Sequence, residues 1–308
     1  MNKLQIDLGF NPIKVIGSEP QQVVMPVLHV QADRVSLLGS SFSISNSGYM
    51  MTAAHIFSDF FPNQLIHKND TPVSDPNLYV LYVKNLDPDD NTKDLFGGLL
   101  PIKYIWLNDF TDIAYFWVQL PLMTDTKEPL SLYSLKMTTS MPNMGENILG
   151  FGYYEGSGVI SDNPSILNNK IMEYGHQSAS STGKVVDVHF EKRDNVRLKF
   201  PCFQVDARFD AGMSGGPLMR ENGMVCGVIC SSTVEERNDE GYVSYGASIW
   251  PSLGQIIELP QPDTDEKLKI HALELANRKV FGFDETLGLI SIKANGDGTT
   301  TVSQKVVQ

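Results

Sequence analysis

Asp210-Ala211-Gly212-Met213-Ser214-Gly215-Gly216-Pro217-Leu218 is the stretch that decides how this 308-residue chain reads. One serine stands among three glycines, and each glycine has a physical use. Gly212 lets the backbone turn so that its own N–H and that of Ser214 point at one spot, where two donors can stabilise the oxyanion of a tetrahedral intermediate. Gly215 and Gly216 let the chain and a ligand approach closely. Taken alone, the segment reads equally well as a glycine-rich turn ahead of a strand.

Two upstream segments change that balance. Gly39-Ser40-Ser41-Phe42-Ser43-Ile44 precedes Gly48-Tyr49-Met50-Met51-Thr52-Ala53-Ala54-His55, which places an imidazole at a strand end. A serine hydroxyl is a weak nucleophile until an adjacent base accepts its proton. Further on, Asp112 opens the apolar run Ile113 to Val118, where a carboxylate can hold the imidazole in the right tautomer. Each has a plainer reading, His55 as a capping or core histidine and Asp112 as a turn residue opening a strand. Their joint occurrence in the order His, Asp, Ser is hard to reach by chance.

The rest of the chain reads as short strands between turns, at 22–31, 36–44, 49–52, 78–83, 102–107, 113–120, 147–153, 184–190, 196–205, 216–219, 224–230 and 242–250. Many short strands with frequent turns predict an all-β barrel or sandwich. The proline-bearing stretch 121–144 is thin in strand pattern and forms the expected seam between two halves. Long loops are expected at 58–75 and 87–99. The ending differs: Asp263 and Glu266 have capping-box spacing, and Leu268, Ala272, Leu275 and Ala276 recur at helical spacing to about Lys279. A hairpin is expected around Asn295-Gly296-Asp297-Gly298, which makes the tail a small appendage to the all-β body.

Composition sets the limits. Hydrophobic residues make up 42% of the chain and charged residues 19%, enough apolar material for a core. The formal charge of −12 excludes the electrostatic footprint of a nucleic-acid binder and argues against an anionic membrane surface. No apolar run reaches transmembrane length, and the first residues lack a secretory pattern, so a cytoplasmic protein is expected. Three cysteines agree with a reducing compartment. Cys226 and Cys230 lie four apart in an apolar strand, about 13 Å at ~3.3 Å per residue, too far for a disulfide or a shared zinc. They are expected as buried thiols. Gly150-Phe151-Gly152-Tyr153-Tyr154-Glu155-Gly156 has its third glycine one residue late for a dinucleotide fingerprint and no helix after it. The remaining histidines show no metal-ligand spacing, and the Asn69 sequon has no bearing on a cytoplasmic chain.

Thr52-Ala53-Ala54-His55, Asp112-Ile113-Ala114 and Gly212-Met213-Ser214-Gly215-Gly216-Pro217-Leu218 together resemble the trypsin-like, chymotrypsin-fold serine peptidases, over roughly residues 22–255. Asp206-Ala207 and Gly145-Glu146-Asn147-Ile148-Leu149-Gly150-Phe151-Gly152 make the chain similar to bacterial members such as the HtrA (Deg) proteases, without a recognisable PDZ domain after residue 255. The resemblance implies two six-stranded antiparallel β-barrels. Residues 1–128 would carry His55 and Asp112, residues 129–258 would carry Ser214, and residues 259–308 would be the helix-and-hairpin extension. It implies an endopeptidase working through a His55-Asp112-Ser214 triad and an acyl-enzyme, an oxyanion hole from the N–H groups of Gly212 and Ser214, and no metal or organic cofactor.

Cys230, Ser231 and Ser232 fall on the segment that pairs with an extended substrate backbone. Arg208, six residues before Ser214, falls on the floor of the specificity pocket, with Phe209 beside it. Arg208 can point inward and select an acidic side chain, or turn to solvent and leave an apolar pocket. The cost of burying an unpaired guanidinium favours the second. Met213 stands where zymogen-type relatives keep an aspartate, so activity without N-terminal cleavage is expected. The expected partners are a protein or peptide substrate and a regulatory protein, in the manner of regulatory or defence-system proteases. The alternative is a catalytically latent binding or scaffold protein on the same fold.

Overall fold

The computed structural model describes residues 9–13, 18–58, 77–85, 95–108, 111–123, 126–162, 170–232, 242–260, 267–295 and 300–305. Most of the loops expected at 58–75 and 87–99, the Asn69 sequon, the capping residues 263–266 and the turn glycines 296 and 298 lie outside the described residues.

Short apolar runs become strands because each can bury one or both faces while its backbone groups pair laterally. The first are β1 (Phe10–Ile13), β2 (Val24–Val30), β3 (Arg34–Ser43) and β4 (Tyr49–Thr52), with a one-turn helix α1 (Glu19–Val23) before β2. A second short helix, α2 (His55–Ser58), leads to β5 (Leu78–Asn85), β6 (Leu95–Asn108) and β7 (Ile113–Val118). In β7 every residue but Trp117 is buried, so it shows no polar face. Strands β3-β2-β5-β6-β7-β4 follow one another antiparallel, and β4 pairs back onto β3, closing a six-stranded ring.

The second half holds β8 (Asn147–Asp162), β9 (Lys170–His189), β10 (Cys202–Val205), β11 (Pro217–Arg220), β12 (Val225–Ser232) and β13 (Ser244–Ser248). Their order β9-β10-β13-β12-β11-β8 is closed by the β8–β9 pairing into a second six-stranded ring. The rings share an edge: Arg34, Val35 and Ser36 at the start of β3 pair with Val159, Gly158 and Ser157 of β8. This is a chymotrypsin-like double barrel. The N-terminal strand β1 does not join the first ring. It pairs with β9, Phe10 opposite Ser181 and Ile13 opposite Ser178.

Several elements differ from their sequence expectation; β6 begins at Leu95, inside the loop expected over 87–99. Strands β8 and β9 are far longer than the apolar runs suggest, because their outer halves are rich in Gly and Ser and are held as strand mainly by each other. The stretch expected as one strand over 196–205 is strand only from Cys202. Before it, the Asp194 carboxylate accepts the N–H groups of Val196, Arg197 and Leu198 and holds a turn. The expected C-terminal helix begins only at Ala272, as α3 (Ala272–Asn277). Lys267-Leu268-Lys269-Ile270-His271 alternates with period two and forms β15 (Lys267–His271) against β14 (Ile256–Pro260). Lys267 and Lys269 both reach the buried Glu258 carboxylate, at 3.3 and 3.0 Å, while Ile270 turns inward.

The tail ends in the expected hairpin, β16 (Ile290–Ala294) against β17 (Thr300–Gln304). It is built into the body rather than appended to it. Met137, in the connector between the rings, is bridged in parallel to Val225 of β12 on one side and to Phe283 of the tail on the other. Thr139 donates its hydroxyl to the Thr286 carbonyl at 2.9 Å, and Gln304 donates to the Thr139 carbonyl at 2.9 Å. Phe281 is buried against the first ring, stacked on Tyr115 of β7 at 5.8 Å and edge-on to Tyr49 of β4 at 5.4 Å. Replacing Phe281 by alanine removes that plug. A loss of about 3–5 kcal/mol of unfolding free energy is expected, read by chemical denaturation; a loss under about 1 kcal/mol would show that the tail does not brace the barrels.

Candidate active site

The end of β4 delivers Thr52, and the chain passes through Ala53 and Ala54 into α2, whose first residue is His55. Asp112 directly precedes β7, the neighbour of β4, so strand pairing brings the two side chains together. The His55 N–H donates to Asp112 Oδ1 at 2.9 Å, and His55 Nδ1 meets Asp112 Oδ2 at 2.7 Å. A third link, Ala54 N–H to the Asp112 carbonyl at 3.3 Å, fixes the backbones. Both carboxylate oxygens serve one residue, which locks the ring's tilt. The carboxylate makes Nδ1 the protonated nitrogen of the neutral ring, so the lone pair sits on Nε2. The His55 side chain is 31% exposed and that of Asp112 16%, so the carboxylate is screened while the imidazole opens to solvent.

Around Ser214 the chain makes two turns in series. Met213 N–H donates to the Asp210 carbonyl at 3.0 Å, and Gly216 N–H donates to the Met213 carbonyl at 2.9 Å. Their third positions are Gly212 and Gly215, with φ of 94° and 88°. Ala211 and Ser214, at the second positions, are not among the residues with positive φ, so both turns are type II. Glycine is required at both third positions because the left-handed φ is costly for any other side chain. Among the described residues the N–H groups of Gly212 and Ser214 donate to nothing in the protein, as two oxyanion donors would. Ser214 Oγ likewise makes no hydrogen bond to a described residue. Nucleophile-to-base bonds are often long in substrate-free enzymes and tighten on binding.

This double turn is seated on the first ring. The Ser214 carbonyl accepts the Ser40 N–H at 2.8 Å. A Cβ on Gly215 would collide with the Ser40 carbonyl oxygen and Thr52 Oγ1, and it would stand 3.0 Å from the Ala53 nitrogen. The backbone after Ser214 therefore lies against the residues that lead into His55. The sequence reading passed over Ser40 and Thr52 as contacts. Their signal was present: Ser40, Ser41, Ser43 and Thr52 are hydroxyl residues in otherwise apolar strands, and all four are buried.

Residues 39–228, well over half of the chain, match the family described as trypsin-like peptidase domain. The chain belongs to that family. Among solved structures, the active form of the Rv3671c protease from M. tuberculosis aligns at a TM-score of 0.40 with 14% identity, covering 74% of this chain and 77% of the other. The inactive form of a serine-to-alanine mutant of Rv3671c gives 0.41 and 14%, covering 74% and 82%. The MamO protease domain from Magnetospirillum magneticum gives 0.42 and 13%, covering 75% and 93%. No curated protein sequence matches the chain. Among the described residues, no helix is long and apolar enough to cross a membrane.

In this trypsin-like serine peptidase the residues expected to bind substrate fall into three groups. Arg208 is held by its neighbours rather than extended. Its guanidinium forks onto Asp210, Nε to Oδ1 at 2.8 Å and Nη2 to Oδ2 at 2.5 Å, and lies over the Phe10 ring at 4.3 Å. The hydrogen bonds to Asp210 raise its pKa further, so the cation is permanent and already matched. Phe209 faces the interior of the second barrel, its ring packed over Gly150 among Ile148, Leu218 and Met213. Met213 is fully buried in that cluster, and its sulfur accepts the Asp210 N–H at 3.4 Å, so the place of the zymogen-type aspartate is apolar.

Cys230, Ser231 and Ser232 end β12. Ser231 and Ser232 pair with Tyr245 and Ser244 of β13 on one side, while on the other side the hydrogen bonds run as far as Ile229, which exchanges a pair with Gly215 and Gly216. Among the described residues nothing pairs with that side of 230–232, an open edge beside the Ser214 turn. The Cys230 thiol is buried and donates to the Tyr245 carbonyl at 3.3 Å. Burial raises the pKa of all three thiols, Cys202 to about 11 and Cys226 to about 12. Iodoacetamide at pH 8 is expected to leave all three unmodified in the folded protein and to modify all three after denaturation, read by intact mass. Rapid modification of Cys230 in the folded protein would show that the wall beneath the open edge is not closed.

Proposed function

We propose that this peptidase cleaves internal peptide bonds with Ser214 as nucleophile, His55 as general base and Asp112 as the residue that orients it. The observation that carries the reading is the two-point grip of Asp112 on His55, on a ring that is seated against the Ser214 turn. An extended substrate segment adds to the open edge of residues 230–232 by main-chain hydrogen bonds. Ser214 Oγ attacks the scissile carbonyl carbon as its proton passes to His55 Nε2. The carbonyl oxygen becomes an oxyanion held by the Gly212 and Ser214 N–H groups. His55 returns the proton to the leaving amine, and an acyl-Ser214 ester remains. Water, deprotonated by the same imidazole, then releases the acid and restores Ser214.

The primary specificity is not basic. Arg208 stands where a carboxylate would be needed, and its pairing with Asp210 masks that acid as a counter-charge for a lysine or arginine substrate. The same reading takes the protein to be cytoplasmic, since three free cysteines suit a reducing compartment, and to act on a dedicated protein partner under regulation. The second reading, a latent protease-fold binding protein, is favoured by the unengaged Ser214 hydroxyl. A fluorophosphonate probe separates the two, because only an activated serine labels.

Ser214→Ala is expected to abolish both labelling and peptide hydrolysis while the circular dichroism and melting profile stay as in the wild type. Asp112→Asn is expected to lower kcat on the order of 10⁴-fold by misorienting the imidazole. Wild-type turnover in Ser214→Ala would overturn the assignment. So would a peptide-library profile led by lysine or arginine for the specificity.

A further inference from the structure

We propose that the loop joining β9 to β10, residues 190–199, is an exosite: a docking surface outside the triad for an acidic segment of the protein substrate that also carries apolar side chains. The proposal rests on the peptidase reading above and names the chemistry of the substrate. The loop runs Phe190-Glu191-Lys192-Arg193-Asp194-Asn195-Val196-Arg197-Leu198-Lys199. Its four cations stand against two acids, a net of +2 in a chain whose total is −12.

The loop's shape is fixed from inside. The Asp194 carboxylate is taken up by the N–H groups of Val196, Arg197 and Leu198. The Leu198 carbonyl accepts the N–H groups of Arg193 and Asp194, at 3.0 and 3.2 Å. Leu198 is buried, as is Phe200 just beyond the loop. With those two apolar side chains anchored, Phe190 and Val196 are left 67% and 76% exposed. One exposed apolar residue is ordinary, but two large ones on a single pinned loop are not explained by the fold. Lys192, Arg197 and Lys199 are exposed as well, and among the described residues none of them pairs with an acid. Apolar side chains beside unmatched charge are the composition of a recognition surface.

The sign of the charge decides the partner. An acidic segment is repelled by the chain as a whole and attracted by this loop, which sets where such a segment settles. A flat anionic membrane would meet much more of the acidic surface at once, so a segment small enough to touch the loop alone fits better. The position of the loop ties it to the substrate. The Arg193 guanidinium lies over the ring of Tyr245 at 4.6 Å, and Tyr245 is the backbone partner of Ser231. Leu198 and Phe200 pack in the same core cluster as Tyr245 and Cys230. One strand, β13, therefore stands between the loop's anchor and the strand that ends in the open edge of 230–232. Strands lie about 4.8 Å apart and an extended chain advances about 3.3 Å per residue, so on the order of five to ten residues of substrate beyond the cleaved segment cover the distance.

The test uses two short fluorescein-labelled peptides, one alternating Glu with Leu and Phe, the other with Lys in place of every Glu. Their binding to the full-length Ser214→Ala protein is read by fluorescence anisotropy. The acidic peptide is expected to bind, more weakly as salt rises, and the basic one not to bind. Combining Lys192→Glu, Arg197→Glu and Lys199→Glu should weaken binding on the order of 10- to 100-fold. Combining Phe190→Ser and Val196→Ser should weaken it on the order of 10-fold. Glutamine at the three cationic positions should give a smaller loss and stands in if the charge-reversed protein does not fold. Joining the acidic sequence to a short peptide that the wild type cleaves should lower KM on the order of 10-fold with kcat within about twofold, since binding away from the reacting bond is uniform. The charge-reversed protein should lose that gain and cleave the unextended peptide as the wild type does. Equal binding of the two peptides, no binding of either, or unchanged affinity in the folded charge-reversed protein would overturn the proposal. So would a charge reversal that abolishes binding to phosphatidylserine vesicles and leaves peptide binding intact. If the wild type hydrolyses nothing, the peptidase reading is what fails, and the anisotropy measurement decides for the loop alone.

Discussion

Everything at this site depends on one close contact, the backbone of Gly215 lying directly on the Ser40 carbonyl and the Thr52 hydroxyl. His55 and Ser214 come from two separately closed barrels, whose strands pair mainly within their own ring. The rings meet instead through β3, whose first residues pair with β8 and whose later residues carry Ser40 past the Ser214 turn. A side chain at residue 215 would collide with the Ser40 carbonyl oxygen and the Thr52 hydroxyl and push the Ser214 turn off the first ring. The glycine is therefore a spacer of zero thickness, and its positive φ is what the second turn needs as well. Two demands fall on one residue, and only glycine meets both.

How much of this was legible in the sequence follows from which interactions are local. The Thr52-Ala53-Ala54-His55 and Asp112-Ile113-Ala114 segments announce themselves because an imidazole and a carboxylate at strand ends are chemically conspicuous. Strands such as Tyr49–Thr52, whose apolar runs are bounded by turn residues, could be placed to the residue. The outer halves of β8 and β9 could not, since a Gly- and Ser-rich strand is specified by its partner rather than by its own pattern. Lys267–His271 shows the opposite failure. Its period-two alternation was present but stood beside a helical spacing that starts at Leu268, and Glu258, outside the segment on the neighbouring strand, settled the competition by binding both lysines. Ser40 was invisible as a contact because its partners, Gly212 and Tyr153, lie more than a hundred residues away. The same holds for Arg208, whose direction was set by Asp210 and by Phe10 from the other end of the chain.

The pairing of β1 with β9 also bears on how the chain assembles. Phe10 lies opposite Ser181, a separation of 181 − 10 = 171 residues. At a synthesis rate of about 5–20 residues per second, β1 waits roughly ten to thirty seconds on the ribosome for its partner to be made. The first ring can close meanwhile, because its strands lie between residues 24 and 118. The segment of β9 that β1 covers emerges with no partner other than β8 and stays open until the N-terminal strand returns. Contacts this distant close late and slowly. The order of events runs against the order of the chain: the strand made first docks among the last, and until it does, a second nascent copy can lend its own Phe10–Ile13 to the same edge.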